Sequence, residues 1–275
     1  KTLNFLKFKT YLLKGCKYNK NKKKKIHAII VTHILGNPLQ LKELKKINSK
    51  KNILIIEDAA ESLGSFVIKN KKNIHTGLEG DFGCISFNVN KIITSGGGGA
   101  IIFKNRKFLK KIKLLINQHK NDSLFFIHNN IGYNYGLLNT NAAIGYAQLK
   151  KIKLILSKKK NIFQYYRNFF NNSKKFEILQ SSNYTKPNFW LNAIILKKKI
   201  SKKNFENKIK YLNEKGIQIR PLWKPNHLQK YLKKYQCYEI KQAIKLSNRI
   251  ICLPSGSNLK VKNQIKICNL INEVF

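Results

Sequence analysis

An acidic pair, Glu57 and Asp58, ends a short apolar run that covers residues 52–56. Such a run is typical of a parallel strand covered on both faces, and ligands of an open α/β sheet bind at the carboxyl ends of such strands. Asp58 could cap a following helix, or its carboxylate could face a heterocyclic nitrogen. At about 4 Å from a pyridinium, a carboxylate contributes on the order of 4 kcal/mol at an effective dielectric constant of 20. That interaction would keep the ring nitrogen protonated and the ring able to accept electrons.

A second candidate, Lys91, lies between residues 86–90 and a segment that ends in the four glycines 96–99. Its residue type carries little information, because lysines occur along the whole chain. A lysine that ends a strand on the same side as Asp58 could form a Schiff base with a carbonyl compound, provided that burial and positive neighbours favour its neutral form. The structural alternatives are a solvated lysine before a tight turn and, for the glycines alone, a hairpin or bulge. The combination of these features favours the chemical interpretation.

The elements that must position these residues predict an α/β sheet. Residues 39–47 repeat apolar side chains at helical spacing and separate two apolar runs with the character of strands. The predicted strands of this part of the chain are 26–32, 52–56, 81–87 and 100–103. Between residues 139 and 175 apolar side chains again recur at helical spacing, which predicts one long helix or two consecutive helices.

The C-terminal part of the chain predicts a smaller α+β domain. Its predicted elements are a strand at 189–196, a helix at 204–214, a strand at 216–220 and a final helix after Leu259. No internal repeat and no Pro/Gly-rich linker marks a boundary. We therefore predict a large domain over residues 1–160 and a small C-terminal domain over residues 161–275.

The formal net charge of +43 raises the possibility of a nucleic-acid-binding protein, because clustered cations release counterions from phosphate backbones. However, only four of the 55 basic residues are arginine, and the lysines are spread along the chain beside abundant Asn and Ile, as expected for A/T-rich codons. Proteins that read nucleic acids use arginine for bidentate contacts, and none of their motif spacings occurs here. Nucleic acid is therefore the weakest of the candidate partners.

The cysteines and histidines argue against a metal site. The five cysteines are odd in number and widely separated, without a CxxC spacing, which argues against both a zinc site and a disulfide framework. No HExxH spacing occurs, and we predict no metal. No apolar run approaches the ~20 residues that cross a bilayer, and no signal peptide is evident. We expect a soluble cytoplasmic protein with no membrane partner. Because the sequence contains no Met, we also expect it to begin inside its reading frame.

Several motifs together carry a specific resemblance. The central ones are residues 57–65, 80–87, 91–99 and 132–135. They closely resemble the sugar aminotransferases of the DegT/DnrJ/EryC1/StrS family. Further similar segments, which extend the resemblance over essentially the whole chain, are 33–38, 142–149, 190–192, 220–225, 227–229 and 253–255. The segments that begin at Trp190 and Arg220 look most like the branch that aminates UDP-linked 4-keto-6-deoxy-N-acetylhexosamines on the way to legionaminic acid and related sugars.

The resemblance implies the type I aminotransferase fold of pyridoxal-phosphate-dependent transferases, with a mostly parallel sheet in the large domain, and pyridoxal 5'-phosphate as the cofactor. It also implies roles for individual residues. Asp58 would pair with the pyridine nitrogen, and Glu61 would lie near the phenolic oxygen. Ser86 would bind the phosphate, and Lys91 would form the Schiff base and then move the proton. Asn134 would reach the phosphate in the site of the neighbouring subunit, which implies a homodimer with shared active sites.

The resemblance also implies substrate contacts and includes two departures. His227 and Arg220 would line the sugar-nucleotide pocket, although a packed surface histidine is an equal alternative for His227. Gly136 stands where the family usually has an arginine, which removes a cation near the active site. The family's N-terminal portion, with its phosphate-binding Gly-Thr turn, helix N-terminus and ring-stacking aromatic residue, has no counterpart here. Residues 1–25 instead align with the stretch before the strand leading to His33. A sheet without its first elements is expected to expose apolar surface.

Three hypotheses follow. The first is an aminotransferase that converts a nucleotide-linked 4-keto-6-deoxy sugar to the 4-amino sugar, with glutamate as the amino donor, in the biosynthesis of cell-surface polysaccharide or nonulosonic acid. The second is an inactive or fragmentary descendant of that family, and the third is the basic nucleic-acid-binding protein. A sister branch performs sugar C3 dehydration with a histidine in place of the lysine, and Lys91 argues against it.

Overall fold

The computed structural model describes residues 10–13, 16–48, 53–122 and 124–275. Residues 1–9, which include much of the stretch predicted to align with the family's mid-domain, lie outside the described residues.

The strands, in chain order, are β1 (Thr10–Leu13), β2 (Cys16–Asn19), β3 (Ala28–Thr32), β4 (Leu54–Asp58), β5 (Phe66–Lys69), β6 (Lys72–His75), β7 (Phe82–Ser86), β8 (Gly99–Phe103), β9 (Lys120–Asp122), β10 (Ile127–His128), β11 (Phe176–Ile178), β12 (Thr185–Lys186), β13 (Asn192–Leu196), β14 (Arg220–Pro221) and β15 (Ile250–Leu253). The α helices are α1 (Lys42–Asn48), α2 (Leu109–Ile116), α3 (Asn139–Lys150), α4 (Ile152–Phe170), α5 (Lys202–Glu214), α6 (Lys241–Ser247) and α7 (Val261–Val274).

The chain forms two compact units. The first unit contains residues 11–153 together with 183–188, and the second is built from residues 154–182 and 189–275. The segment 183–188 thus returns to the first unit after the chain has already entered the second. We call it the return segment. In the described part of the chain, none of the helices has the length and apolar character needed to cross a membrane.

The sheet that carries the predicted site has the order β3-β4-β7-β8. Strand β4 runs parallel to β3 and to β7, whereas β8 is antiparallel to β7. Because side chains alternate along a strand, one face of the sheet carries Val31, Ile55 and Ile85, and all three are buried. The opposite face is less covered, since Ile30 is 69% exposed and Ile101 is 47% exposed.

This asymmetry corrects one expectation and confirms another. Strand β4 was predicted to be covered on both faces, but buried and half-buried side chains alternate along it. The face that is only half-buried on β4 continues into the exposed Ile30 of β3, which is paired with Ile56. The expectation of exposed apolar surface on this sheet is confirmed.

A second sheet of the first unit, with the order β12-β5-β6, was not predicted from the sequence. Strands β5 and β6 form a hairpin whose two turn residues, Asn70 and Lys71, have φ of 48° and 61°. Positive φ at both central residues is typical of the tight turns that match the twist of a hairpin. The return segment adds β12 to this hairpin, with Thr185 opposite Val67.

The second unit packs helices against an antiparallel sheet with the order β11-β13-β15-β14. Its core consists of large apolar side chains from α4, α5, α7 and the sheet, among them Tyr166, Phe170, Phe176, Leu212, Ile251 and Ile271. The predicted helical stretch 139–175 forms two consecutive helices, α3 and α4.

The predicted strand at 216–220 is largely absent, because only Arg220 and Pro221 pair in the sheet. The preceding residues make turn bonds instead, from Ile217 N to Leu212 O and from Ile219 N to Ile217 O. The other predicted strand of this unit begins at Asn192 rather than at 189. Phe189 has a φ of 54°, which is incompatible with an extended strand.

Candidate active site

Asp58 is the last residue of β4, at the carboxyl edge of the sheet and on its open face. It lies between Thr32 of β3 and Cys84 of β7 in the ladder. Its Oδ1 accepts a hydrogen bond from the N–H of Ala60 at 3.2 Å, and its Oδ2 accepts a long one from the Thr32 hydroxyl at 3.5 Å. Residues 59–65 form turns rather than an α helix, so Asp58 does not cap a helix. Burial raises the pKa of the Cys84 thiol, and the charge of Asp58 adds to this effect.

Glu61 lies in the turn that follows β4, and the charge of Asp58 affects its pKa. Its Oε2 accepts a hydrogen bond from the N–H of Leu35 at 2.7 Å. Burial raises the pKa of Glu61, and the negative charge of Asp58 raises it further, whereas the Leu35 N–H and the positive charge of Lys91 act in the opposite direction. The net shift is upward. The charges of both Asp58 and Lys91 therefore act on the Glu61 carboxyl group.

Lys91 lies on a loop whose base is closed at Phe87. The carbonyl of Phe87 accepts hydrogen bonds from the Ser95 N–H at 3.0 Å and from the Thr94 hydroxyl at 3.1 Å. The two residues after Lys91, Ile92 and Ile93, are buried and anchor the loop. Lys91 itself is half-buried and interacts with Glu61. This environment differs from that of a fully solvated lysine before a turn.

Ser86 and Asn134 line one open cavity of about 890 Å³ in the first unit. Ser86 ends β7, where it is paired with Gly99, and Asn134 is held by a bridge to Asn117. The cavity also contains Gly136. Ser86 and Asn134 of one chain thus lie along the same cavity, which opens on the Asp58 face of the sheet. The predicted reach of Asn134 into a neighbouring subunit stays a prediction.

The two predicted substrate residues belong to the second unit. Arg220 is an exposed residue of β14. His227 lies in the 3-10 turn Asn226–Leu228, where its Nε2 is buried without a hydrogen-bond partner. Between them, the exposed Trp223 stacks on the buried Trp190 with ring centroids 5.9 Å apart. The roles of Arg220 and His227 in substrate binding stay predictions.

The structure adds a buried carboxylate–imidazole hydrogen bond that sequence reasoning missed. Glu57 precedes Asp58 in β4 and therefore faces the opposite, buried side of the sheet. Its Oε2 lies 2.9 Å from Nε2 of His33 and accepts from the Gly77 N–H at 2.9 Å, while its Oε1 accepts from the Gly80 N–H at 2.5 Å. Burial raises the pKa of Glu57, but these hydrogen bonds outweigh it, so the pKa is lowered. Nδ1 of His33 accepts from the Leu39 N–H at 3.0 Å, which leaves Nε2 as the donor to Glu57.

These residues fit the predicted cofactor. Lys91 could provide an amine for an aldehyde, and Asp58 could provide a counter-charge for a pyridinium. The Ser86 hydroxyl and the Asn134 amide line a cavity that can receive an anionic group. Among the described residues, no cluster of His, Cys, Asp and Glu could hold a metal ion.

Comparison with known proteins identifies the family. Residues 7–272 match the DegT/DnrJ/EryC1/StrS aminotransferase family. The chain is 32% identical over 252 residues to EpsN of Bacillus subtilis strain 168, which covers 90% of this chain and 63% of EpsN. It is 31% identical over 252 residues to the GDP-perosamine synthase of Escherichia coli O157:H7, which covers 91% of this chain and 66% of the synthase.

A solved structure shows the same fold. PseC of Helicobacter pylori, an aminotransferase involved in the biosynthesis of pseudoaminic acid, superposes with a TM-score of 0.80 at 23% identity over 90% of this chain and 67% of PseC. The likeness confirms the predicted α/β fold. The family match and the fold lead to one conclusion: the chain belongs to the DegT/DnrJ/EryC1/StrS aminotransferase family.

Proposed function

We propose that this protein is a pyridoxal-phosphate-dependent aminotransferase that converts a nucleotide-linked 4-keto-6-deoxy sugar to the 4-amino sugar, with glutamate as the amino donor. The observation that carries the proposal is that Asp58 and Ser86 end neighbouring strands on one face of the sheet, and that Lys91 lies on the loop that directly follows Ser86. The chain spans 63% of the length of EpsN and 66% of that of the perosamine synthase.

Pyridoxal phosphate, when bound, supplies an aldehyde that condenses with amines and a ring that accepts electrons. The Asp58 carboxylate would hold the proton on the ring nitrogen. The Lys91 amine would hold the aldehyde carbon in the resting enzyme and would carry a proton during turnover, work that contributes about 10²- to 10⁴-fold to a rate. Ser86 and Asn134 would bind the phosphate, and Glu61 would orient the ring through its oxygen.

The substrate class rests on the family and on two segments of the second unit. The segments at Trp190 and Arg220 resemble the branch that acts on UDP-linked sugars, and the relatives include a GDP-perosamine synthase. Arg220 offers a cation for a diphosphate, and the buried Nε2 of His227 offers an unused polar atom. We therefore propose an acidic nucleotide sugar as the substrate and a role in cell-surface polysaccharide or nonulosonic acid biosynthesis.

A homodimer is part of the same proposal. Tyr135 and Leu138, which line the cavity of the first unit, are exposed. So are four large apolar side chains shortly before them in the chain, Leu124, Phe125, Phe126 and Ile131. A patch of this kind marks an interaction surface. A second copy of the chain would cover it and would bring Asn134 near the partner's site.

The proposal is tested by absorption spectroscopy. Adding pyridoxal phosphate to the purified protein should produce the visible band of a lysine-bound cofactor, and Lys91→Ala should abolish it. Lys110→Ala, at a lysine on the exposed side of α2, is the control and should keep the band. The absence of the band from the unmutated protein, or its persistence in Lys91→Ala, would contradict the proposal. Incubation with glutamate and a UDP- or GDP-linked 4-keto-6-deoxy sugar, followed by mass spectrometry, would identify the substrate.

A further inference from the structure

The return segment ends at Asn188, which forms hydrogen bonds with the turn that contains Glu61. Asn188 is 1% exposed, and it follows β12. Its side-chain Nδ2 donates to the carbonyl of Glu61 at 2.8 Å and to the carbonyl of Leu63 at 2.9 Å. Its backbone N–H donates to the Ser65 hydroxyl oxygen at 2.9 Å. A single residue that is distant in sequence therefore binds three points of the turn 61–65.

The same residue also contacts the turn that binds the Glu61 carboxylate. The Ser65 hydroxyl, which accepts from Asn188, donates to the carbonyl of Gly36 at 2.7 Å. A Cβ added at Gly36 would lie 1.9 Å from Oδ1 of Asn188, so the amide packs directly on this glycine. The neighbouring Leu35 provides the N–H that Glu61 accepts. Asn188 thus connects the backbone of Glu61 with the turn that orients its side chain.

The turn at Leu35 and Gly36 has a strained backbone and depends on contacts from other residues. Leu35 has a φ of 57° and Gly36 a φ of 80°, and a left-handed conformation is unfavourable for leucine. The position of the Leu35 N–H therefore depends on neighbouring contacts rather than on local preference. The Ser62 and Thr76 hydroxyls close the base of the 59–65 turns, where they bond to each other and to the carbonyls of Ala59 and Ser62 rather than to that of Glu61. The Asn188 amide is what fixes that carbonyl.

We propose that Asn188 is a positioning residue of the active site, which fixes the turn 61–65 and the turn at Leu35 and thereby holds the Glu61 carboxylate in place. The inference rests on the proposed function, because it assigns the Glu61 carboxylate to the cofactor site. Without the Asn188 amide, the turn 61–65 relaxes, and the bond from Leu35 to Glu61 weakens. The negative charge of Glu61 then moves away from the Lys91 nitrogen, and the protonated form of the lysine-bound cofactor loses stabilisation.

A spectral titration with a matched control tests this role. Asn188→Ala should lower the midpoint pH of the visible band by about one unit and raise the apparent Kd for pyridoxal phosphate about tenfold. The control is Asn213→Ala, because Nδ2 of Asn213 likewise donates to two carbonyls, those of Ile209 at 2.8 Å and Ile219 at 2.9 Å, in the second unit. It should lower the melting temperature comparably but leave the midpoint and the Kd unchanged. Equal spectral effects of both variants would overturn the proposal.

A double-mutant cycle shows whether Asn188 acts through Glu61. In a Glu61→Gln background, which has no charge at this position, Asn188→Ala should no longer shift the midpoint. An undiminished shift in that background would show that Asn188 acts by another route and would refute the positioning role.

Amide hydrogen exchange without cofactor separates this inference from the proposed function. Asn188→Ala should accelerate exchange of the Leu35 amide about tenfold, whereas Asn213→Ala should leave it unchanged. Unchanged exchange at Leu35 in Asn188→Ala overturns the inference even if the cofactor binds. If the unmutated protein forms no visible band, the proposed function fails, and the exchange result alone decides whether Asn188 holds the Glu61 turn.

Discussion

The Glu57 carboxylate and the His33 imidazole lie 2.9 Å apart, and neither side chain is more than 1% exposed. The pair connects the residue before Asp58 with the residue after β3. The backbone N–H of His33 also donates to the backbone carbonyl of Asp58 at 3.1 Å. Glu57 also holds the Gly77 and Gly80 N–H groups. The ionised Glu57 carboxylate and its hydrogen-bond donors therefore fix the edge of the sheet on the buried face, opposite the open face that carries Asp58.

Replacing Glu57 by Gln should destabilise the first unit by about 3 kcal/mol, because an amide NH₂ would face N–H donors that now bind a carboxylate oxygen. Urea denaturation of the variant and the unmutated protein measures the difference. The control is Glu43→Gln, at an exposed residue paired with Lys46, which should change stability by less than about 0.5 kcal/mol. Similar losses in both variants would contradict the assigned role of Glu57.

The position of Asp58 after a strand could be predicted from the apolar run that precedes it. Ser86 was named only through the family resemblance, one residue before the predicted end of its strand at 87. The ladder of the sheet places both residues on one face. The pair of Glu57 and His33 could not be predicted, because their contact depends on the register of β3 with β4. One signal was present: Glu57 is adjacent to Asp58, so the two carboxylates must face opposite sides of the sheet.

The unpredicted elements of the fold share a physical cause. Strand β12 has two residues, Thr185 and Lys186, and so short a strand has no readable periodicity. The hairpin of β5 and β6 turns at Asn70 and Lys71, where a lysine takes the left-handed conformation that usually signals glycine. Asn188 owes its position to both elements. Its contacts depend on long-range pairing that local patterns do not contain.

The second prediction concerns acid stability and His75. Nε2 of His75 accepts from the Gly64 N–H at 2.7 Å, and Nδ1 donates to the carbonyl of Thr76 at 2.5 Å, so the ring is held neutral. Burial lowers the pKa of His75 below 6.5. The unfolded chain therefore takes up a proton first as the pH falls. The stability that this histidine contributes is complete above about pH 6.5 and is lost as the pH falls through the lowered pKa.

Unfolding free energies between pH 5 and 7.5 measure this effect. His75→Asn should be less stable at pH 7.5 and should show a smaller loss toward pH 5. Asn73→Ala, at an exposed residue of the same strand, retains the histidine and should keep the original slope. A slope that is the same in His75→Asn would show that another group is responsible.

The third prediction concerns alkaline stability and Lys159. This buried lysine donates to the carbonyl of Trp190 at 3.0 Å and to that of Ser255 at 2.8 Å. Burial lowers the pKa of Lys159 to about 8. Because the charged form is disfavoured in the folded protein, stability should rise between about pH 8 and pH 10.5, by up to roughly 3 kcal/mol from this group.

Thermal or urea unfolding between pH 7.5 and 10 tests this contribution. Lys159→Met removes the titrating group and should remove the corresponding part of the rise. Lys160→Met changes the net charge equally but keeps Lys159, and it should retain the rise. If the two variants have the same pH dependence, Lys159 does not titrate in this range.

The last prediction concerns Gly136, which lines the cavity with Ser86 and Asn134 and which, by the family resemblance, takes the place of an arginine. A Cβ at this position would lie 3.1 Å from Oδ1 of Asn117, a contact that a small side-chain shift can relieve. Gly136→Arg should therefore fold and add a cation beside the proposed phosphate contacts. The apparent Kd for pyridoxal phosphate, measured by absorbance, should fall about tenfold, as expected for a new charge-assisted hydrogen bond.

The control is Gly256→Arg, which adds the same charge at an open position of the second unit and should leave the Kd unchanged. If both variants tighten binding equally, the gain comes from net charge, and the cavity beside Ser86 is not the phosphate site.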